Sequence, residues 1–253
     1  MSCTSPSKRL VAAALVTGLA LTTTACSGDE APDADASAYD SADVMAEMTD
    51  AVADAGSVRL TLGTKQSPKD LIVDTARGNE PTFRALTMGD PSTQLDVRRV
   101  DGRVYLGGEL VGHQWTYIDL DDPRLTDPES DFDAGMVETL MDIDVPGDPA
   151  ALGGAVTAVK DEGAEEMAGV DARHYTLTVE TTEWLEELGD ASMYAAMDLP
   201  ASVTMDLYVD DDSRPVRLAY EVPGEPRQSA EIGFSEWGTP VEVAVPQRAK
   251  PVS

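Results

Sequence analysis

Val203-Thr204-Met205-Asp206-Leu207-Tyr208-Val209, then Asp210-Asp211-Asp212-Ser213, then Val216-Arg217-Leu218-Ala219-Tyr220-Glu221-Val222, is the stretch that decides the fold. Val203, Met205, Leu207 and Val209 recur with a period of two, as do Val216, Leu218, Tyr220 and Val222. That period places each set on one face of a strand. The acidic run between them favours a turn, so the two strands make an antiparallel hairpin. Upstream, Tyr175, Leu177 and Val179 alternate with His174, Thr176 and Thr178 after the turn Gly169 to Asp171, which adds another strand. Between them, Thr181 or Thr182 is placed to cap a helix carrying Trp184, Leu188 and, past Gly189, Met193, Tyr194 and Met197. Downstream, Ile232, Phe234, Trp237 and Val241, Val243, Val245 predict one or two more strands, with Pro246 ending the order.

The first half repeats the pattern. Val44, Met45, Met48 and Val52 have helical spacing behind Ser41 or Asp43 as caps, and Gly56 signals the end. From Ser57 the period changes to two at Val58, Leu60 and Leu62. Strand-like runs recur at Leu71 to Thr75, Phe83 to Met88, Leu95 to Val100, Val104 to Leu106 and Trp115 to Leu120, with turn signals at Asp101-Gly102 and Gly107-Gly108. Short strands at this spacing describe an antiparallel meander, not βαβ units. Past an acidic stretch ending at Asp133, Met136, Val137, Leu140 and Met141 predict a short amphipathic helix closed by Pro146-Gly147. A second small helix or turn around Ala150 to Leu152 and a weak strand at Val156 to Val159 follow. The class is α+β in a single domain.

The N-terminus sets the compartment. Lys8-Arg9, the apolar run Leu10 to Leu21 and Thr22-Thr23-Thr24-Ala25-Cys26 have the order of a secretory signal, and the run is shorter than the roughly 20 residues of a membrane span. Thr24-Ala25-Cys26 matches the end of a lipobox, in which the cysteine receives a diacylglyceryl thioether and becomes the new N-terminus; Thr23 departs from the usual Leu, Val or Ile. The alternative is plain secretion with cleavage after Ala25. Removal of residues 1–25 leaves 228 residues whose one cysteine is Cys26, so no internal disulfide is available, and lipid would cap an otherwise reactive thiol. The remaining 16 Lys and Arg against 47 Asp and Glu give −31, which repels nucleic acid and an anionic lipid surface alike. Residues 26–43, rich in Gly, Pro, Ala, Ser and acids, are expected to be a disordered tether reaching about 55 Å at most. Residues 44–246 form the domain and 247–253 a tail. Heavy use of Asp, Ala, Gly and Val, with arginine over lysine, is that of a GC-rich, actinobacterial-type source.

Several segments together resemble a known family. Asp101-Gly102-Arg103-Val104-Tyr105-Leu106 with His113-Gln114-Trp115-Thr116-Tyr117-Ile118-Asp119-Leu120, Ala168-Gly169-Val170-Asp171-Ala172-Arg173-His174-Tyr175, Met205-Asp206-Leu207-Tyr208-Val209-Asp210 and Phe234-Ser235-Glu236-Trp237-Gly238 are similar to the LolA-like lipoproteins of actinobacteria, the LprG/LppX type. The resemblance spans about Ser41 to Pro246. It implies an incomplete β-barrel, an antiparallel sheet curled around helices, with an apolar cavity in some members. Those members bind acylated lipids or lipoglycans and carry them across the envelope. The expected partners are therefore a membrane, through the anchor, and an acylated lipid or glycolipid.

Inward alternation and amphipathic faces give the candidate lining as Leu60, Leu62, Leu106, Trp115, Met136, Leu140, Met141, Trp184, Leu188, Met193 and Met197, with Cys26 as the lipid attachment point. Periodicity does not separate a lined cavity from a filled core. A filled core would make the chain a tethered interaction or sensory module using its acidic face. No catalytic constellation is visible. Gly233-Phe234-Ser235-Glu236-Trp237-Gly238 lacks the spacing of a nucleophile elbow, and His113 and His174 lack the partners of a zinc site. The acids from Asp119 to Asp133 lack the order of a calcium loop and read as a solvated face. Neither a metal nor another cofactor is expected, and no enzyme activity.

Overall fold

The computed structural model describes residues 41–64, 71–76, 82–112, 114–125, 147–189, 199–222 and 229–252. In chain order, helix α1 (Ser41–Ala55) precedes β1 (Ser57–Gly63), β2 (Leu71–Ala76), β3 (Thr82–Thr87), β4 (Asp96–Val100), β5 (Arg103–Gly107) and β6 (Thr116–Asp119). Then come α2 (Gly147–Ala155), β7 (Val156–Met167), β8 (Val170–Glu180), α3 (Thr181–Leu188), β9 (Ser202–Asp210), β10 (Pro215–Tyr220), β11 (Ala230–Ser235) and β12 (Lys250–Pro251). These strands form one sheet in the order β12-β6-β5-β4-β3-β2-β1-β11-β10-β9-β8-β7. It does not close: β12 lies at one edge and β7 at the other, and the sheet curls around the helices.

The expected hairpin is present. Leu218 faces Leu207 and Tyr220 faces Met205 across β9 and β10. The Asp210 carboxylate accepts from the backbone N–H groups of Asp212 and Arg214, at 3.0 and 2.9 Å, which ties the acidic run into a turn. The meander of the first half is likewise antiparallel throughout β1 to β6. Asp101 and Gly102 both have positive φ, 54° and 71°, the twist-matched geometry of a two-residue hairpin turn. One core cluster joins α1 (Met45, Met48, Val52), α2 (Leu152) and α3 (Trp184) to the inner face of the sheet. Helix α1 enters β1 through Gly56 and also touches β7, so it crosses the inner face from β1 toward the far edge.

Four expectations need correction. The weak strand at Val156 to Val159 is the twelve-residue β7, paired with β8 from Val156↔Val179 to Met167↔Val170. Its second half, Lys160 to Glu166, carries too few apolar residues to alternate; the partner strand holds it, not its own hydrophobicity. Val241, Val243 and Val245 are not in a strand, and order does not end at Pro246. Lys250–Pro251 add in parallel beside β6, inside the expected tail. Neither Thr181 nor Thr182 caps α3: the extended cap residue is Glu180, and Thr181 is buried inside the first turn. Finally, Ser41, Ala42 and Asp43 belong to α1, not to a tether. The helix expected around Met136 to Met141 and the continuation through Met193 and Met197 lie outside the described residues, as do residues 1–40.

Candidate functional site

Register fixes which side chains share the inner face. One row across the sheet is Phe234, Leu60, Val73, Ala85, Val97 and Leu106 on β11, β1, β2, β3, β4 and β5. A second is Leu62, Ile232, Leu218, Leu207 and Tyr175 on β1, β11, β10, β9 and β8. A third continues Tyr220, Met205, Leu177 and Val159 toward the β7 edge. Val73, Val104, Leu177, Val179 and Met205 are fully buried, and all of these rows belong to or pack against one core cluster. Trp184 of α3 stands edge-on to Tyr220, ring centroids 6.5 Å apart, and burial pushes the Tyr220 phenol up to about 12. These rows of the inner face are therefore apolar, aliphatic for the most part, with Phe234 and Tyr175 among them and the Trp184–Tyr220 pair at the α3 end.

Of the residues singled out from sequence, Leu60, Leu62, Leu106 and Trp184 are buried in this cluster and Leu188 packs against it. Met136, Leu140, Met141, Met193, Met197 and Cys26 lie outside the described residues. Trp115 is misplaced. Thr116 opposes Leu106 on the inner face, so Trp115 points outward, where its ring covers Gly107 and lies 4.6 Å beneath the Arg98 guanidinium. Alternation alone assigned it inward, but pairing with β5 gives the inner face to Thr116 and Ile118. Val73, Ala85, Val97 and Val104 were missed; single apolar residues in short strands gain a face only when their cross-strand partners are known.

The outer face is built differently. Arg59, Asp74, Arg84, Asp96 and Arg98 form a charged belt across β1 to β4. Past β11 the chain turns back at Gly238, whose N–H donates to the Ser57 carbonyl at 3.0 Å. It then crosses this belt as a strap: Arg98 donates to the Ala244 carbonyl at 2.9 Å, Gln114 to that of Arg248 at 2.8 Å, and β12 closes onto β6. A cavity of about 180 Å³ lies under the strap, lined by Arg59, Asp74, Arg84, Glu236 and Glu242 among others. Its cations are already matched, Arg59 to Asp74 and Glu236 and Arg84 to Asp96, so it is a polar layer between strap and sheet. His174 stacks on Tyr208 at 4.3 Å and contacts Asp206 at 2.9 Å, a packed outer-face residue. Asp119 and Asp122 of the acidic stretch hold Arg103 and Arg124. Among the described residues no group of three or more His, Cys, Asp or Glu could hold a metal ion, and no helix is long and apolar enough to cross a membrane.

No protein-family model and no curated protein sequence matches the chain. Among solved structures it is similar to the crystal structure of LprF from Mycobacterium bovis, at 15% identity and a TM-score of 0.51, over 83% of this chain and 97% of LprF. The chain carries the LolA-like fold. The Mycobacterium tuberculosis lipoprotein LppX aligns at 13% identity over 81% of this chain and 98% of that one, with a TM-score of 0.48. The Pseudomonas aeruginosa MucA/MucB complex aligns at 16% identity over 78% and 56%, with a TM-score of 0.40. In the LolA-like frame, the apolar inner face is the surface that helices and sheet enclose, and the charged belt with its strap is the outside.

Proposed function

We propose that the chain is an extracytoplasmic lipoprotein, anchored through Cys26, that takes up acyl chains of an amphiphile between the curled sheet and its helices. The observation that carries this reading is the LolA-like fold combined with an inner face whose rows are apolar from Leu106 on β5 to Val159 on β7. Sequestration needs no chemistry: each methylene withdrawn from water contributes about 0.8 kcal/mol. An open sheet edge and separate helices supply walls that part without breaking the strand ladder. The tether places this domain within tens of ångströms of the bilayer, the distance over which a lipid would be collected or delivered.

The test is a displacement series. Soluble protein lacking residues 1–26 is loaded with the neutral probe N-phenyl-1-naphthylamine, which is then displaced by fatty-acid methyl esters of increasing length. Affinity is expected to rise about fourfold per added methylene until the chain outgrows the space. Absence of saturable probe binding, or an affinity independent of chain length, would leave a filled core and return the chain to an interaction module.

A further inference from the structure

Arg99 is the charged residue on the apolar inner face of β4. Register places it between Phe83 of β3 and Val104 of β5, both buried in the core. Its predecessor Arg98 faces the other way, where it holds Asp96 at 2.8 Å and covers Trp115. Arg99 is also the last inner-face position before the Asp101-Gly102 turn, so it stands at the rim of the face, in one row with Val58, Thr75, Phe83, Val104 and Ile118.

Its lack of partners sets it apart from most of the described arginines. Arg59, Arg84, Arg103, Arg124, Arg173, Arg214 and Arg217 each hold a carboxylate, as expected where 47 acids face 18 bases. Among the described residues Arg99 makes no hydrogen bond and no ion pair, although it is half-buried beside aliphatic and aromatic groups. A guanidinium so placed keeps its donors unmatched and loses part of its hydration. An anion arriving at the rim would accept from those donors in the fork geometry that arginine offers carboxylate and phosphate.

We infer that Arg99 selects the ligand: an amphiphile with an anionic head group, carboxylate or phosphate, held at the rim by Arg99 while its alkyl chain runs inward along Val97 and Leu106. This rests on the uptake proposed above and adds the head-group class to it. With the large net negative charge elsewhere repelling anions, the half-buried Arg99 donor set at the rim would also orient the ligand, head outward and chain inward.

The experiment compares 11-(dansylamino)undecanoic acid with its methyl ester, on the wild-type domain and on Arg99→Gln. The acid is expected to bind the wild type about tenfold tighter than the ester, the usual effect of one charge-assisted hydrogen-bonded contact. Arg99→Gln is expected to abolish that difference while leaving the ester affinity and the thermal midpoint unchanged, and Arg99→Lys to restore part of it. Millimolar inorganic phosphate should leave the acid bound, because the chain supplies most of the affinity. Displacement by phosphate would overturn the assignment to an amphiphile. Equal binding of acid and ester by the wild type, or an equal loss of both in Arg99→Gln, would overturn the role of Arg99 and leave uptake standing. Failure of both probes to bind would overturn uptake itself and this inference with it.

Discussion

Cys26→Ser is expected to move the protein completely from the membrane to the aqueous phase. Membrane attachment of a folded domain rests on apolar insertion, on electrostatic attraction, or on both, and one acyl chain alone gives only marginal binding. Here electrostatics works against attachment. The chain without residues 1–25 carries −31, and six acids, Asp29 to Asp43, follow the cysteine directly. With 47 acids against 16 bases, electrostatics would not hold the protein to an anionic leaflet in the absence of a diacylglyceryl group on Cys26. The residual affinity is therefore expected to be negligible, not merely reduced. Detergent phase partition of wild-type and Cys26→Ser protein from the same host measures this. Retention of the serine variant in the membrane fraction would rule out the thioether as the anchor.

Asp96→Ala is expected to cost about 3 kcal/mol of stability, roughly 10 °C in thermal midpoint for a domain of this size. Asp96 is 7% exposed, and its carboxylate receives Arg84 at 3.0 Å and Arg98 at 2.8 Å, so its loss leaves two guanidinium groups side by side on β3 and β4. Arg98 in turn ties the strap, through Ala244, and covers Trp115, so the damage spreads to the C-terminal segment. The arginines are partly in water, which keeps the cost below the upper range for a fully buried pair. The same site predicts a pH effect. Burial alone would raise the Asp96 pKa, but the hydrogen bonds from Arg98 and Arg84 outweigh it and hold the carboxyl below its ordinary value. A depressed carboxylate contributes its stability above the unfolded pKa of about 3.9 and loses it as pH falls through the lower folded value. Urea titrations at pH 7 and at pH 3 should therefore show the gap between wild type and Asp96→Ala narrowing in acid. An equal gap at both pH values would contradict the ion-pair assignment.

How much was legible in the sequence differs by element. Strands with a strong period of two, such as Val203 to Val209 and Val58 to Leu62, declared both their existence and their buried face. The Asp101-Gly102 turn declared itself by chemistry, because few other dipeptides accept two positive φ angles. The acidic half of β7 was illegible, since its place at the sheet edge is supplied by β8. The strap was illegible for a different reason: its hold on the outer face comes from hydrogen bonds that Arg98 and Gln114 donate to carbonyls more than a hundred positions away. Leu60, Leu62, Leu106 and Trp184, named as candidate lining from local pattern, are buried in the core cluster. The faces of Trp115 and Arg99 were not legible, because alternation within one short strand does not say which of its two faces is inner; in β4, Arg98 and Arg99 are adjacent and alike, and only the pairing with Phe83 and Val104 separates an outer-belt residue from an inner one.

Acyl chain is expected to lie between the sheet and the helices. Native mass spectrometry of the Cys26→Ser protein, produced in its own host and purified without detergent, reads this directly. The expected spectrum carries about one amphiphile per chain, as a mass excess that organic extraction removes and whose fragments include long alkyl chains. A spectrum of the bare polypeptide alone, under conditions that preserve non-covalent complexes, would contradict it.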